Sequence, residues 1–238
     1  MAGGKGTRLY PLTKVTNKHL LPVGLEPMIF NPIKQLVTSG ITDILVITSN
    51  EHMGAIVNLL GSGGAFGCEF TYKVQEEASG IASALLLAEN FSNGEKIVVI
   101  LGDNISDTSI SKSVKNFGGQ STGARVLLKK VGDPERYGVA AIDEKKIIEI
   151  EEKPNEPKSD YAIIGYYMYD SKVFDYIKSI TPSARGEYEI TSVNNCYLDI
   201  GELEYDIHSG NWTDAGTIES LAYANKLMLK CSNKLLEG

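Results

Sequence analysis

The first half of the chain alternates between short apolar runs and segments in which apolar residues have helical spacing. Residues 43–49 (DILVITS) have the composition of a buried strand. In residues 51–60 the apolar side chains recur at i, i+3, i+4 and i+7, the spacing of one helix face. The pattern then predicts a strand at 69–74, a helix at 80–89 and a strand at 96–101. This alternation is typical of an α/β fold with a doubly wound, mostly parallel sheet, where ligands bind at the carboxyl ends of the strands.

The second half of the chain is richer in strands. We predict strands at 124–130, 139–142, 147–152 and 161–169, and helices at 171–180, 189–199 and from about 217 to 230. No linker rich in Pro, Gly or Ser separates the two halves, and a chain of this length can form one α/β unit. We therefore expect one domain with two lobes.

Composition and charge narrow the class of protein. The chain has 238 residues, of which 42% are hydrophobic, as in ordinary soluble globular proteins. Lys and Arg number 23 against 30 Asp and Glu, which gives a net charge of −7 and makes nucleic acid an unfavourable partner. No apolar run approaches the roughly 20 residues that a membrane span requires. We expect a cytoplasmic protein with no membrane contact and with its three cysteines reduced.

A glycine-rich turn, GGKGTR, occupies residues 3–8. Backbone N–H groups in such a turn can approach phosphate oxygens closely because no Cβ intervenes. The turn matches neither the G-x-G-x-x-G pattern of dinucleotide-binding folds nor the pattern of P-loop NTPases. Arg8 and Lys18 add two cations close to the turn. Because buried phosphate charge must be countered locally, this combination indicates triphosphate binding rather than a purely structural hairpin.

Two aspartates could hold a metal ion. Asp103 follows the predicted strand at 96–101, at the edge of the sheet where ligands bind. Asp214 precedes the last predicted helix. Alone, Asp103 fits an Asx turn equally well and Asp214 fits a helix cap equally well. Together they indicate a site for a hard cation such as Mg²⁺.

A third charged cluster, Glu152-Lys153-Pro154, ends a predicted strand in the second half. The lysine could hold a monophosphate and the glutamate could accept sugar hydroxyls, although charged strand ends are more often only solvated. The three histidines have no ligand spacing and no partnered nucleophile. We give them no catalytic role.

Taken together, several motifs resemble the family of glucose-1-phosphate thymidylyltransferases in its shorter bacterial and archaeal form. They are GGKGTRL at 3–9, NKHLLP at 17–22, GDN at 102–104, DPERYGV at 133–139, EKP at 152–154, SARGE at 183–187 and WTDAG at 212–216. The first three are shared by sugar nucleotidyltransferases in general. The stretches at 133–139 and 183–187 are closer to the thymidylyl branch. The resemblance covers nearly the whole chain.

The resemblance implies a Rossmann-like nucleotidyltransferase fold with a strand-rich sugar-binding lobe. The nucleotide-binding lobe would be residues 1–123, the sugar-phosphate lobe 124–216, and the C-terminal helix 217–238. It implies Mg²⁺-dependent transfer of a thymidylyl group from dTTP to α-D-glucose 1-phosphate, giving dTDP-glucose and pyrophosphate. It further implies a homo-oligomer, a rhamnose-type deoxysugar pathway, and no feedback inhibition through the second nucleotide site that extra C-terminal helices carry in longer relatives.

The resemblance also assigns roles to individual residues. Arg8, Lys18 and Asp103 would be catalytic, and Asp103 and Asp214 would bind the metal ion. The nucleotide would contact Gly3, Gly4, Gly6, Thr7, Gln75, Gly80 and Ile81, with the Gln75 amide on an edge of thymine that uracil shares. The sugar phosphate would contact Asn104, Tyr137, Gly138, Glu152, Lys153, Tyr167 and Arg185. His19 stands where longer members have glutamine.

Other functions remain open at this point. A uridylyltransferase or another sugar 1-phosphate nucleotidyltransferase would need the same residues. A non-catalytic subunit that senses sugar nucleotides should have lost at least one of the four charged residues Arg8, Lys18, Asp103 and Asp214, and all four are present. A dehydrogenase is disfavoured because the third glycine of its fingerprint is missing.

The start of the chain departs from the usual pattern. A glycine-rich phosphate turn normally follows a buried strand of roughly 5 residues. Met1 and Ala2 leave no room for one before Gly3. We therefore expect that the sequence is shortened at its N-terminus.

Overall fold

The computed structural model describes residues 1–236. Its α-helices are α1 Phe30–Thr38, α2 Met53–Leu60, α3 Ile81–Leu86, α4 Glu89–Ser92, α5 Ser111–Gly119, α6 Val173–Ser179, α7 Ile190–Asp199 and α8 Ile218–Leu236. Its strands are β1 Pro22–Val23, β2 Glu26–Pro27, β3 Asp43–Ser49, β4 Glu69–Gln75, β5 Ile97–Ile100, β6 Asn104–Ser106, β7 Ala124–Lys130, β8 Gly138–Asp143, β9 Lys146–Glu152, β10 Tyr161–Tyr169, β11 Leu203–Ile207 and β12 Trp212–Asp214. No helix among these residues is both long and apolar enough to cross a bilayer.

The contacts divide the chain into two compact units, each made of separate stretches. Unit 1 comprises Met1–Ala78, Ile100–Lys112 and the residues from Gly210 onward, and unit 2 comprises Ser79–Val99 and Ser113–Ser209. The lobes predicted from the sequence were continuous and met after residue 123. The contacts interleave the stretches instead, because strands pair across long separations in the chain. The predicted C-terminal helix corresponds to α8, and residues 237–238 lie outside the described residues.

Unit 1 contains the parallel pair β3–β4, in register from Asp43 opposite Glu69 to Ser49 opposite Gln75. Residues 1 and 2 extend this arrangement. Ala2 bridges to Thr48 in parallel, and the Met1 carbonyl accepts the Gly102 N–H at 2.8 Å. The place where the sequence led us to expect a strand before the glycine turn is thus occupied by Met1 and Ala2.

Two apolar clusters form the core of unit 1. In the first, Ile44 and Val46 of β3 pack with Ile56 and Leu60 of α2. Ile56 and Leu60 are four residues apart and therefore lie on one face of α2. Burial of this face against β3 stabilises the helix. The second cluster surrounds Leu9 and includes Leu21, Val23, Met28, Ile105, Ala215, Leu221 and Ala224. It anchors the glycine-rich turn to α8.

Unit 2 is built on a sheet with strand order β11-β7-β10-β8-β9, and β5 pairs with β10. The β7–β11 pair is parallel, whereas β7–β10, β8–β10 and β8–β9 are antiparallel. Strand β10 is buried along almost its whole length. This explains its continuous apolar sequence, since a strand covered on both faces does not alternate.

The α/β class and the strand-rich second half are confirmed. The predicted helix at 80–89 is interrupted after Leu86, because the N–H groups of Leu87 and Ala88 bond three residues back and tighten the last turn. Helix α1 and the three-residue strands β6 and β12 were not predicted. Strands that short contain too few residues to show a period.

Candidate active site

The glycine-rich turn folds against Lys18. Gly6 has a φ of +63° and precedes a single 3-10 turn at Thr7–Leu9. The hydroxyl of Thr13 donates to the Gly6 carbonyl at 2.9 Å. A Cβ at Gly6 would lie 2.9 Å from Thr13 Cγ2 and 3.0 Å from Lys18 Cβ. Both the backbone angle and the space therefore require glycine here.

Lys18 forms a close ion pair with Asp103. Its Nζ lies 2.5 Å from Asp103 Oδ2, and the two side chains are only 12% and 15% exposed. Asp103 Oδ1 accepts the Asn104 side-chain amide at 3.0 Å. Burial alone would raise the pKa of Asp103, but the charge of Lys18 and these hydrogen bonds outweigh it and hold the pKa well below its ordinary value. Asp103 is therefore a carboxylate at neutral pH.

Asp214 and Arg8 lie in the same region of unit 1. Strand β12 pairs with β6 so that Asp214 is opposite Asn104, and the Asp103 carbonyl accepts the Ala215 N–H at 2.8 Å. A Cβ at Gly216 would lie 3.0 Å from Arg8 Nη2 and 3.3 Å from Asp214 Oδ2. The guanidinium and the carboxylate thus flank the same glycine.

The N-terminal cap of α8 is Thr217. Its Oγ1 accepts the Ser220 N–H at 3.2 Å. The capping role that the sequence left open for Asp214 is therefore filled by another residue.

The two aspartates suit a magnesium ion by their chemistry. Within residues 1–236 no group of three or more His, Cys, Asp or Glu side chains is placed to hold a metal ion. Mg²⁺ commonly takes only one or two protein carboxylates and completes its shell with water and substrate phosphates. Asp103, which precedes β6, and Asp214, which ends its partner strand β12, would supply that number of oxygen ligands.

The residues predicted to bind the nucleotide belong to both units. Gln75 ends β4 in unit 1, and its Oε1 would lie 2.8 Å from a Cβ at Gly3. Gly4, Gly6 and Thr7 belong to the same turn. Gly80 and Ile81 belong to unit 2 at the start of α3, where the Tyr188 carbonyl accepts the Ala82 N–H at 3.2 Å.

Arg185 in unit 2 is surrounded by carboxylates. Its Nη2 lies 2.8 Å from Glu189 Oε1, 3.3 Å from Glu152 Oε1 and 3.6 Å from Glu187 Oε2. Partial burial would lower the pKa of Arg185, but these carboxylates raise it above its ordinary value. Arg185 is therefore a permanent cation, and its side chain is 41% exposed.

Lys153 adds a second cation next to Glu152. Its Nζ lies 3.9 Å from Glu152 Oε1. Its backbone has a φ of +47°, which is uncommon for a residue with a side chain. Left-handed backbone at such positions is concentrated at functional sites.

The other oxygen of Glu152 is held by Thr191. The buried Thr191 hydroxyl donates to Glu152 Oε2 at 2.5 Å. Gly138, which is opposite Glu152 in the β8–β9 register, leaves room for this contact, since a Cβ there would lie 2.9 Å from Thr191 Oγ1. The Glu152 carboxylate is thereby oriented with Oε1 towards the two cations.

The remaining residues of the predicted sugar-phosphate set are more dispersed. The Tyr137 carbonyl accepts the Lys153 N–H at 2.9 Å, and Tyr167 is buried in β10 and stacked on Tyr169. Asn104 belongs to unit 1, where its buried side chain donates to Asp103 and accepts the Trp212 indole N–H at 2.8 Å.

Sequence reasoning did not select several side chains that contact the predicted residues. They are Asn17, His19, Glu187, Glu189 and Thr191. Glu187 and Glu189 stand within four residues of Arg185, so their charges were a usable signal. The contact of Thr191 with Glu152 joins residues 39 apart and has no local signature.

The family model and the curated relatives that match this chain all belong to the nucleotidyl transferases. The profile described as nucleotidyl transferase matches residues 1–230. The chain is 42% identical over 237 residues to the glucose-1-phosphate thymidylyltransferase of Neisseria meningitidis serogroup A, covering 98% of this chain and 82% of that protein. It is 44% identical over 225 residues to the enzyme of the same name from Xanthomonas campestris pv. campestris, covering 93% of this chain and 76% of that protein.

Two solved structures have a fold similar to that of this chain. A Bacillus anthracis protein, provisionally named glucose-1-phosphate thymidylyltransferase and crystallised with sucrose, is 60% identical and superposes with a TM-score of 0.92 over 96% of this chain and 93% of its own. A UDP-glucose pyrophosphorylase with bound UDP-glucose is 23% identical, with a TM-score of 0.85 over 96% of each chain, and shares the fold. The chain therefore belongs to the nucleotidyl transferase family and, within it, to the family of glucose-1-phosphate thymidylyltransferases.

Proposed function

We propose that the protein transfers a thymidylyl group from dTTP to α-D-glucose 1-phosphate and releases pyrophosphate, forming dTDP-glucose. The observation that carries the proposal is the arrangement of four charged residues in unit 1. Lys18 contacts Asp103, and Arg8 and Asp214 flank Gly216. The relatives of 42% and 44% identity have the name of this activity.

The chemistry requires charge neutralisation more than a protein nucleophile. An oxygen of the sugar phosphate attacks the α-phosphorus of dTTP, the new P–O bond forms, and the bond to the pyrophosphate oxygen breaks in line with it. A phosphate monoester is already ionised, so no base is needed to activate it. The barrier is the repulsion between two anions and the charge that develops on pyrophosphate. Arg8 and Lys18 supply positive charge on the triphosphate side.

Asp103 and Asp214 would hold Mg²⁺. When bound, the ion neutralises phosphate charge and helps orient the triphosphate. The Lys18 ammonium has three N–H donors, so it can keep its contact with Asp103 Oδ2 and still donate to a phosphate oxygen. The ion pair thus holds Lys18 close to the position in which it acts.

The remaining predicted residues would divide between the two substrates. Phosphate oxygens would accept the backbone N–H groups of the turn residues Gly3, Gly4, Gly6 and Thr7, and the Gln75 amide would pair with the base. In unit 2, Gly80 and Ile81 are the predicted nucleotide contacts. Lys153 and Arg185 would bind the sugar phosphate. Glu152, oriented by Thr191, would accept sugar hydroxyls. The predicted sugar-phosphate contacts also include Tyr137, Gly138 and Tyr167 of unit 2 and Asn104 of unit 1.

Arg185, unlike Lys18, must exchange partners. A phosphate dianion cannot approach a guanidinium enclosed by Glu152, Glu187 and Glu189 without repulsion. At least one carboxylate has to turn away from Arg185 when the sugar phosphate binds. Because the Glu187 side chain is 44% exposed, turning it away costs little.

The biological setting follows from the proposed reaction. We propose that the enzyme acts in the cytoplasm as a homo-oligomer and supplies a nucleotide sugar for deoxysugar biosynthesis of the rhamnose type. Size-exclusion chromatography with light scattering would measure its oligomeric state.

Product analysis tests the function directly. The purified protein would be given Mg²⁺, one of four nucleoside triphosphates and one of several sugar 1-phosphates, and the products would be identified by chromatography and mass spectrometry. We expect dTDP-glucose from dTTP and glucose 1-phosphate as the preferred reaction. UDP-glucose as the main product would instead favour a uridylyltransferase, because the Gln75 amide can also pair with uracil. Sugar-nucleotide binding without pyrophosphate release from any pair would favour a non-catalytic sensor.

A further inference from the structure

His19, to which the sequence analysis assigned no catalytic role, is buried beside the Lys18–Asp103 pair. Asn17 and His19 are 1% and 2% exposed. The Asn17 side-chain oxygen accepts the His19 backbone N–H at 2.8 Å and lies 2.6 Å from His19 Nδ1. The Asn17 amide donates to the Ala2 carbonyl at 3.4 Å, and the His19 carbonyl accepts the Ile29 N–H at 2.9 Å. Both the backbone and the ring of His19 are therefore held in place.

The opposite edge of the His19 ring packs against Gly102. A Cβ at Gly102 would lie 2.7 Å from His19 Cδ2 and 3.1 Å from His19 Nε2. No side chain fits between the ring and this backbone. Lys18 directly precedes His19 in the chain, and Asp103 directly follows Gly102. The contact between the imidazole and Gly102 thus sets the separation between the segment that carries Lys18 and the segment that carries Asp103.

The His19 ring has the properties of a fixed, uncharged spacer. The Asn17 side-chain oxygen can only accept, so Nδ1 carries the proton in its 2.6 Å contact. Burial, reinforced by the adjacent Lys18 charge, lowers the pKa of His19 well below its ordinary value.

We propose that His19 is a positioning residue that fixes Lys18 relative to Asp103, through its hydrogen bond to Asn17 and its packing against Gly102. This inference rests on the proposed nucleotidyl transfer, in which both charged residues act. His19 touches no substrate in this role. Its contribution is to prevent small displacements of groups whose charges must be placed accurately.

The test separates the hydrogen bond from the packing surface. In His19→Asn the amide nitrogen occupies roughly the place of Nδ1, so the contact with Asn17 is kept while the ring edge facing Gly102 is lost. Gly102→Ala crowds the same ring edge from the other side, and its Cβ would also lie 2.8 Å from the Met1 carbonyl oxygen. His52→Asn is the matched control, because His52 belongs to unit 1 but lies in a different 3-10 turn, Asn50–His52, where its Nε2 is 3.8 Å from the exposed Glu51.

We expect the interface variants His19→Asn and Gly102→Ala to lower kcat by about 10- to 100-fold, because misplacing catalytic groups by about 1 Å has an effect of this size. The KM for glucose 1-phosphate should stay within about twofold of wild type, because the groups proposed to bind its phosphate belong to unit 2. His52→Asn should leave both values unchanged. Circular dichroism at the assay temperature would give the folded fraction, so that kcat is expressed per folded molecule.

Three outcomes of the kinetic and folding measurements would overturn the proposal. They are an unchanged kcat per folded molecule, a rise in KM at constant kcat, and failure of both interface variants to fold, which would indicate a purely structural role. Crystal structures of wild type and His19→Asn add a readout that is independent of turnover. The Lys18 Nζ to Asp103 Oδ2 contact should lengthen or break in the variant, and an unchanged contact would contradict the inference. If wild type is inactive with every substrate pair, the proposed function fails, while this structural comparison still decides the positioning role.

Discussion

The two units hold their cations in opposite ways. In unit 1, Lys18 has one close carboxylate partner, and both side chains are largely buried. In unit 2, Arg185 faces three carboxylates, and its side chain is much more exposed. The first arrangement is nearly balanced in charge, whereas the second has an excess of negative charge.

This difference separates a fixed group from an exchangeable one. Removing one partner of a buried ion pair leaves an uncompensated charge, so the geometry of Lys18 and Asp103 is strongly enforced. Exposed ion pairs contribute little individually because water and salt screen them. We infer that the unit 1 pair mainly determines the rate of the chemical step and that the Arg185 cluster mainly determines the affinity for the sugar phosphate.

The largest effect is expected from the buried pair. Asp103→Asn or Lys18→Ala should lower kcat by roughly 10²-fold or more, since a preorganised electrostatic group is lost. Pyrophosphate release measures the rate, and Lys34→Ala, which breaks an exposed pair with Glu26, is the control. A near-normal rate in a folded Asp103→Asn protein would contradict the proposed role.

Arg185→Ala should act on binding instead. Loss of a charge-assisted hydrogen bond to phosphate is expected to raise the KM for glucose 1-phosphate by roughly 10- to 100-fold. The value of kcat at saturation should change much less. Lys178→Ala removes an exposed cation of the same unit that pairs with Glu89, and it should change neither constant. A fall in kcat at unchanged KM would contradict the inference that the Arg185 cluster determines affinity and the unit 1 pair determines the rate.

Thr191→Val tests the orientation of Glu152. The variant keeps the shape of the side chain but loses the hydroxyl that donates to Glu152 Oε2. We expect the KM for glucose 1-phosphate to rise by roughly three- to tenfold. Thr191→Ser retains the donor and should stay close to wild type. Equal effects of the two substitutions would show that packing, not the hydrogen bond, matters.

The smallest effect is expected from Glu187→Gln. Removing the most distant of the three carboxylates reduces the competition that a phosphate meets at Arg185, so the KM for glucose 1-phosphate should fall by about two- to threefold. The gain should shrink as salt is raised, because screening already weakens the repulsion. A higher KM would indicate that Glu187 itself binds the substrate.

The sequence alone determined the elements that depend on local pattern. Strands β3, β7 and β10 have the predicted bounds, because a continuous apolar run between polar residues identifies a buried strand without reference to its neighbours. The motifs likewise indicated Arg8, Lys18, Asp103 and Asp214, since residue types and short spacings are local properties.

Only the tertiary structure decided which of these groups meet. Lys18 and Asp103 are 85 residues apart in the chain, and Thr191 and Glu152 are 39 apart. The short strands β6 and β12, which align Asp214 with Asn104, are likewise so far apart in sequence that no local pattern predicts their pairing. Hydrophobic periodicity reports whether a segment is buried but not against what, because the partner is selected by packing of the whole chain. The interleaved units and the role of His19 follow from that packing.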